Sequence, residues 1–227
     1  MANNEAVMKE AFEKIGKKYG YDRVGTEFVA YRDFKVKWTR SYKWAEFQVS
    51  DYLMDAPKEV FEGLADTLFS RITGLEPKPY SKEMTEYITS EEFTRTKQPV
   101  YLKRSRNISR SPVGEHKNLT ESLQRLKDLG LVPKDANPYM TWTKEELAST
   151  VGYSSTLMDV IVISSAFDSD YIPDQALDFA VYHEFLVTRE GWANFGKADP
   201  IDVVEEEKKF PDYKDAEGWI RKMCLHL

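Results

Sequence analysis

The run Val160–Ser164, VIVIS, constrains the fold more than any other stretch of this chain. A strand with one wet face alternates apolar and polar residues, whereas a continuous apolar run belongs to a strand covered on both faces. The chain must therefore supply a packing layer to each side of this strand. Tyr139–Thr143 is a further strand candidate, and Ile172-Pro173-Asp174 opens a helix. Proline suits the first turn of a helix, where its missing N–H would have had no partner. That helix is expected from about 173 to 190 and carries His183–Val187, HEFLV.

The rest of the chain alternates similar signals. Residues 4–18 space Ala6, Val7, Ala11, Phe12 and Ile15 along one face of a helix. Between Thr26 and Tyr52, Phe34-Val36-Trp38 and Phe47-Val49 each place large apolar groups on one side of a strand, with Thr39-Arg40-Ser41 as a turn, which predicts an antiparallel pair. Pro57 opens a helix with the buried stripe Val60, Phe61, Leu64, Leu68, Phe69 and Ile72, and Gly74 closes it. Residues 76–118 are the least regular, with prolines at 77, 79, 99 and 112 and a helix expected around 81–95. Leu119, Leu123, Leu126 and Leu129 mark another helix stopped by Gly130, and a last helix is expected from about 212 to 225. The order reads as an α+β plan.

Composition excludes several function classes. The 227 residues contain 41% hydrophobic and 13% aromatic side chains, enough for a substantial core and unlike a disordered chain. A net charge of −6 argues against wholesale nucleic-acid binding. The single cysteine, Cys224, leaves no intrachain disulfide and no multi-cysteine zinc cage. No apolar run approaches the ~20 residues that cross a bilayer. The start of the chain lacks the apolar core of a signal peptide. The expectation is a cytoplasmic protein with no membrane partner.

HEFLV raises the question of chemistry. On a helix, residues four apart share a face, so two histidines at that spacing can hold one zinc while the glutamate between them activates its water. His183 and Glu184 fit the first two roles, but Val187 has no lone pair for the third. Ala176, Phe179, Ala180, His183 and Val187 also form one apolar stripe, and a lone histidine on such a stripe is usually a hydrogen-bonded core residue.

The wider segment VIVISSAFDSDYIPDQALDFAVYHEFL resembles the SprT-like zincin metallopeptidases and their archaeal relatives. In that family a strand ending I-x-I-S precedes leucine or phenylalanine before aspartate, then proline, then a helix bearing L-D-x-x-x-x-H-E-x-x-H. The matching residues are Ile161, Ile163, Ser164, Phe167, Asp168, Pro173, Leu177, Asp178, His183 and Glu184, with Gly152-Tyr153 before the strand. KVKWTRSYKWAEFQVSDYL and EVFEGLADTLFSRI are similar to the strands and helix that precede this core in the archaeal relatives. The likeness runs from about residue 26 to the end and is weakest over 76–118. It implies a single zincin-like domain over 1–227, with a small mixed sheet, an active-site-like helix and flanking helices. An N-terminal helix and an irregular helical insert at about 76–130 complete that expectation.

The departures set the functional expectation. Besides Val187, no histidine lies between Arg189 and Pro211, where the family places its third ligand. Asp199, Asp202, Glu205, Glu206 and Glu207 are the strong ligands there, and aligning on Phe210-Pro211 puts Asp199 nearest the third-ligand position. His226 matches nothing. The expected protein is metallopeptidase-like with a decayed zinc site, non-catalytic, acting by binding an unknown protein or peptide. One alternative is a divergent metal-dependent hydrolase using His183 and Asp199 as ligands and Glu184 as the catalytic residue. No tightly bound cofactor is expected, and zinc would be the cofactor were the site functional.

The other alternative is association with nucleic acid. Arg95, Lys97, Lys103, Arg104, Arg106, Arg110 and Lys117 face only Glu115 over TRTKQPVYLKRSRNISRSPVGEHKN, with Tyr101 as a stacking platform. Arg104, Arg106 and Arg110 are the candidate phosphate contacts, a reading the acidic total does not favour. No phosphate-binding glycine loop and no G-x-S-x-G elbow occurs. The acidic run 205–207 reads as a solvated helix face.

Overall fold

A computed structural model describes residues 2 to 224, which form an α+β fold of eight helices and two small mixed sheets of three strands each. The chain divides into two compact units, Met1–Lys97 and Gln98–Leu227. No helix of the described residues is long and apolar enough to cross a membrane.

The first unit begins with α1 (Ala2–Lys18) and β1 (Arg23–Val29), followed by β2 (Val36–Arg40) and β3 (Trp44–Ser50). The expected antiparallel pair is present as β2 and β3, with Trp38 opposite Phe47. The turn sits later than expected, because Thr39 and Arg40 still pair with Glu46 and Ala45. β1 lies parallel to β3 on its other side, giving the order β1-β3-β2. On one face Phe12 of α1 and Phe69 of α2 (Lys58–Ile72) meet Phe47 edge-on, with centroids 5.0 and 5.2 Å away. All six stripe residues of α2 are buried. Gly74 follows with φ +75°, a left-handed conformation that stops a helix and that side chains with a Cβ rarely adopt.

The helix expected over 81–95 is two helices, α3 (Lys82–Ile88) and α4 (Glu91–Arg104), and α4 carries the chain into the second unit. Each has its own cap: Ser81 Oγ accepts from Met84 N, and Ser90 Oγ accepts from Phe93 N. A fresh cap restarts the hydrogen-bond ladder, which is why the chain breaks at Thr89-Ser90. Pro99 lies inside α4, so the Arg95 carbonyl lacks its helical donor.

The second unit continues with α5 (Leu119–Asp128), β4 (Tyr139–Trp142), β5 (Gly152–Ser155) and β6 (Val160–Ile163). Then come α6 (Asp174–Asn194), α7 (Val203–Glu207) and α8 (Tyr213–Met223). β6 is the central strand of the order β4-β6-β5, parallel to β4 and antiparallel to β5, and all four of its residues are fully buried. Ile161 and Ile163 join one apolar cluster with Leu177, Ala180 and Val181 of α6 and Leu123 and Leu126 of α5.

Two polar devices fix α6 and the loop before α5. Arg125 donates from Nε and Nη2 to the two carboxylate oxygens of Asp178, 2.7 Å each, tying α5 to α6. Asp168 accepts from the backbone N–H groups of Glu115, His116 and Lys117 at 2.6, 2.9 and 2.8 Å. The carboxylate fills the inside of that turn so closely that a Cβ on Gly114 would collide with it.

Candidate functional site

α6 runs from a wet end to a buried middle and back. Ala176, Phe179 and Ala180 of its apolar stripe are buried, whereas His183 and Val187 lie at the boundary with solvent. Glu184 points the other way from a typical surface glutamate, with only 4% of its surface exposed. The Ser154 hydroxyl of β5 donates to its carboxylate.

His183 meets a carboxylate from the next helix. Its Nδ1 lies 2.5 Å from Oε1 of Glu207, at the end of α7. A carboxylate accepts only, so Nδ1 carries the proton and Nε2 is the second nitrogen of the ring. α7 is held in place for this contact. Asp202 caps it by accepting from Val204 N and Glu205 N, and the Tyr182 hydroxyl donates to the Glu206 carbonyl. The acidic run 205–207 is thus not uniformly a solvated face: Glu205 and Glu206 pair with Lys208 and Lys209, while Glu207 turns inward.

These groups line a cavity of about 510 Å³. One wall is Ser149–Gly152, leading into β5; another is Phe179, His183 and Glu184; Glu207 and the Tyr213, Glu217, Ile220 and Arg221 side chains of α8 complete it. Arg221 Nη2 donates to Glu217 at 2.9 Å, and the Tyr213 hydroxyl donates to Glu217 at 3.3 Å.

Burial alone would lower the affinity of His183 for its proton. The hydrogen bond to Glu207, and then the charges of Glu184 and Glu207, outweigh burial and hold the imidazole above its ordinary value. Burial pushes Glu184 up, against the charge of His183 and the hydrogen bond from Ser154. Both groups act on stability with one sign. A group whose folded value is raised gives its full contribution below its unfolded value and loses it as pH rises through the folded one. Unfolding free energy is therefore expected to fall as pH rises from 6.5, the ordinary histidine value, through the raised value of His183. Urea unfolding of His183→Gln across the same range should show a flatter profile; an unchanged slope would place the titration in another group.

Asp199 is the carboxylate expected to stand with His183 as a metal ligand. Val187 stands one turn from His183, where the resemblance places a histidine. Asp199 is exposed in the segment between α6 and α7, and the carboxylate that reaches His183 is Glu207. Among the described residues, no three His, Cys, Asp or Glu side chains are gathered as a ligand set. His226 lies outside the described residues, and His116 pairs with Asp170 at 3.0 Å.

The side chains of the basic stretch have different surroundings. Tyr101 is 2% exposed and offers no face for stacking, which corrects that part of the nucleic-acid expectation. Lys117 is consumed by Asp174, and Lys97 pairs with Asp55. Arg104 is half-buried at the end of α4 and Arg106 is exposed. Arg110, at φ +65°, turns its guanidinium back to the Leu102 carbonyl.

Sequence reasoning missed the roles of Ser154, Glu207 and α8 in the cleft. His183 and Glu207 are 24 residues apart, and no periodic pattern connects them. No family model, no curated protein and no solved structure matches this chain.

Proposed function

We propose that the second unit is a zincin-like domain whose zinc site has decayed and whose cleft works by holding an extended peptide. The observation that carries this reading is the His183–Glu207 pair beside Val187. In a working site, His183 would share a metal with a second imidazole one turn along the helix; here that place is aliphatic and the histidine is tied to a carboxylate. The resemblance in the strand–helix segment, from Ile161 to Glu184, supports the same origin. Peptide binding is supported by the cleft itself. Its wall is the run into β5, the last strand in the sheet order, and a terminal strand is where an extended peptide adds by backbone hydrogen bonds.

The test is metal affinity before and after repair. Protein purified without added metal is expected to hold well under one zinc per chain. Val187→His adds an imidazole on the face of His183, with Glu207 rather than Asp199 as the carboxylate at hand. Its zinc affinity should rise by more than the ~10–100-fold typical of a group that only orients a ligand. Stoichiometric zinc in the unaltered protein that survives mild chelation would instead sink the decayed-site reading and favour the hydrolase alternative. No gain in Val187→His would remove the zincin-like reading of this helix face.

A further inference from the structure

We infer that the side chain this cleft accepts from a bound peptide is a cation, the ammonium of lysine or the guanidinium of arginine. The inference rests on the peptide-binding reading above and specifies its ligand. Five ionisable side chains other than tyrosine line the cavity, three of them carboxylates: Glu184, Glu207 and Glu217. Both cations already have partners, His183 with Glu207 and Arg221 with Glu217. Glu184 is the carboxylate left over. It makes no ion pair among the described residues, and the Ser154 hydroxyl fills only one of its acceptor positions.

A carboxylate 4% exposed at the wall of a cavity is expensive to ionise there without a counter-charge. An incoming ammonium or guanidinium supplies that charge, whereas a carboxylate ligand would meet a lining of three carboxylates against two cations. The remaining walls suit the stem of such a side chain. Phe179 and Ile220 are apolar, and a lysine or arginine buries its methylenes against surfaces of that kind while its head group stays polar. A purely aliphatic side chain would fill the same space but leave Glu184 only the neighbouring charge of His183, which Glu207 already shares.

The experiment compares blocked pentapeptides, glycine at every position but the third, with lysine, norleucine or glutamate there. Binding to the full chain is followed by calorimetry or chemical-shift titration. The lysine peptide is expected to bind at least tenfold more tightly than the norleucine peptide, and the glutamate peptide least. Glu184→Gln should abolish the lysine preference while leaving norleucine affinity in place. The comparison on the unaltered protein stands by itself should that variant fail to fold. Equal binding of lysine and norleucine, or a preference for glutamate, would overturn the cation assignment while the peptide-binding reading stood. Absence of binding by all three peptides would overturn that reading and this inference with it.

Discussion

Replacing Arg125 with alanine is expected to lower the unfolding free energy by about 3 kcal/mol, the lower end of what breaking a buried ion pair costs. The loss does not come from the attraction alone. Asp178 is buried on α6 and receives two hydrogen bonds at 2.7 Å from one guanidinium, so removing Arg125 leaves an ionised carboxylate without a partner. The side chain of Arg125 is 36% exposed, which lets some water reach the vacated position and holds the effect to the lower end of the range. Replacing both residues with leucine should recover most of the loss, since desolvation of two charges roughly offsets their attraction. Urea unfolding of the two variants makes the comparison. A loss below about 1 kcal/mol in Arg125→Ala would mean that Asp178 is solvated well enough to stand alone.

The sequence carried the helices and the central strand more clearly than it carried the site. The α2 stripe from Val60 to Ile72 repeats at helical spacing and ends at a glycine with positive φ, so both its face and its stop could be read. Val160–Ile163 is apolar at every position because both faces are covered, and that pattern has few other meanings. β5 could not be read the same way. Gly152-Tyr153-Ser154-Ser155 has no apolar alternation, and its strand character comes from pairing with β6. Nor could the parallel pairing of β1 with β3, which skips β2, be deduced from local pattern. The helix expected to end at about 95 continues as α4 through Pro99 to Arg104. In the site, His183 and Glu184 were visible as a dipeptide. Glu207 was visible only as one of several acidic residues, because what distinguishes it from Glu205 is the direction in which α7 turns it.

Ile161→Ala should be among the most damaging single changes in the second unit, lowering its stability by about 3–4 kcal/mol. The residue is fully buried on the central strand, and it packs in one cluster with Leu177, Ala180 and Val181 of α6. Truncation removes apolar contacts and leaves a hole that neighbours on a hydrogen-bonded sheet cannot close, because β4 and β6 are fixed in register on one side and β5 on the other. Ile161→Val, which removes one methylene, should cost only about 1 kcal/mol. Val204→Ala on the exposed side of α7 should stay within about 0.5 kcal/mol of the unaltered protein. The cleft should suffer along with stability, because α6 carries His183 and Glu184 and rests on this face of the strand. Peptide affinity in Ile161→Ala, measured at a temperature where the variant remains folded, should therefore fall while Val204→Ala retains it. Near-normal stability of Ile161→Ala would mean that the strand is not sealed on the α6 side, and the cleft would then lack the rigid floor that holds Glu184 under cover.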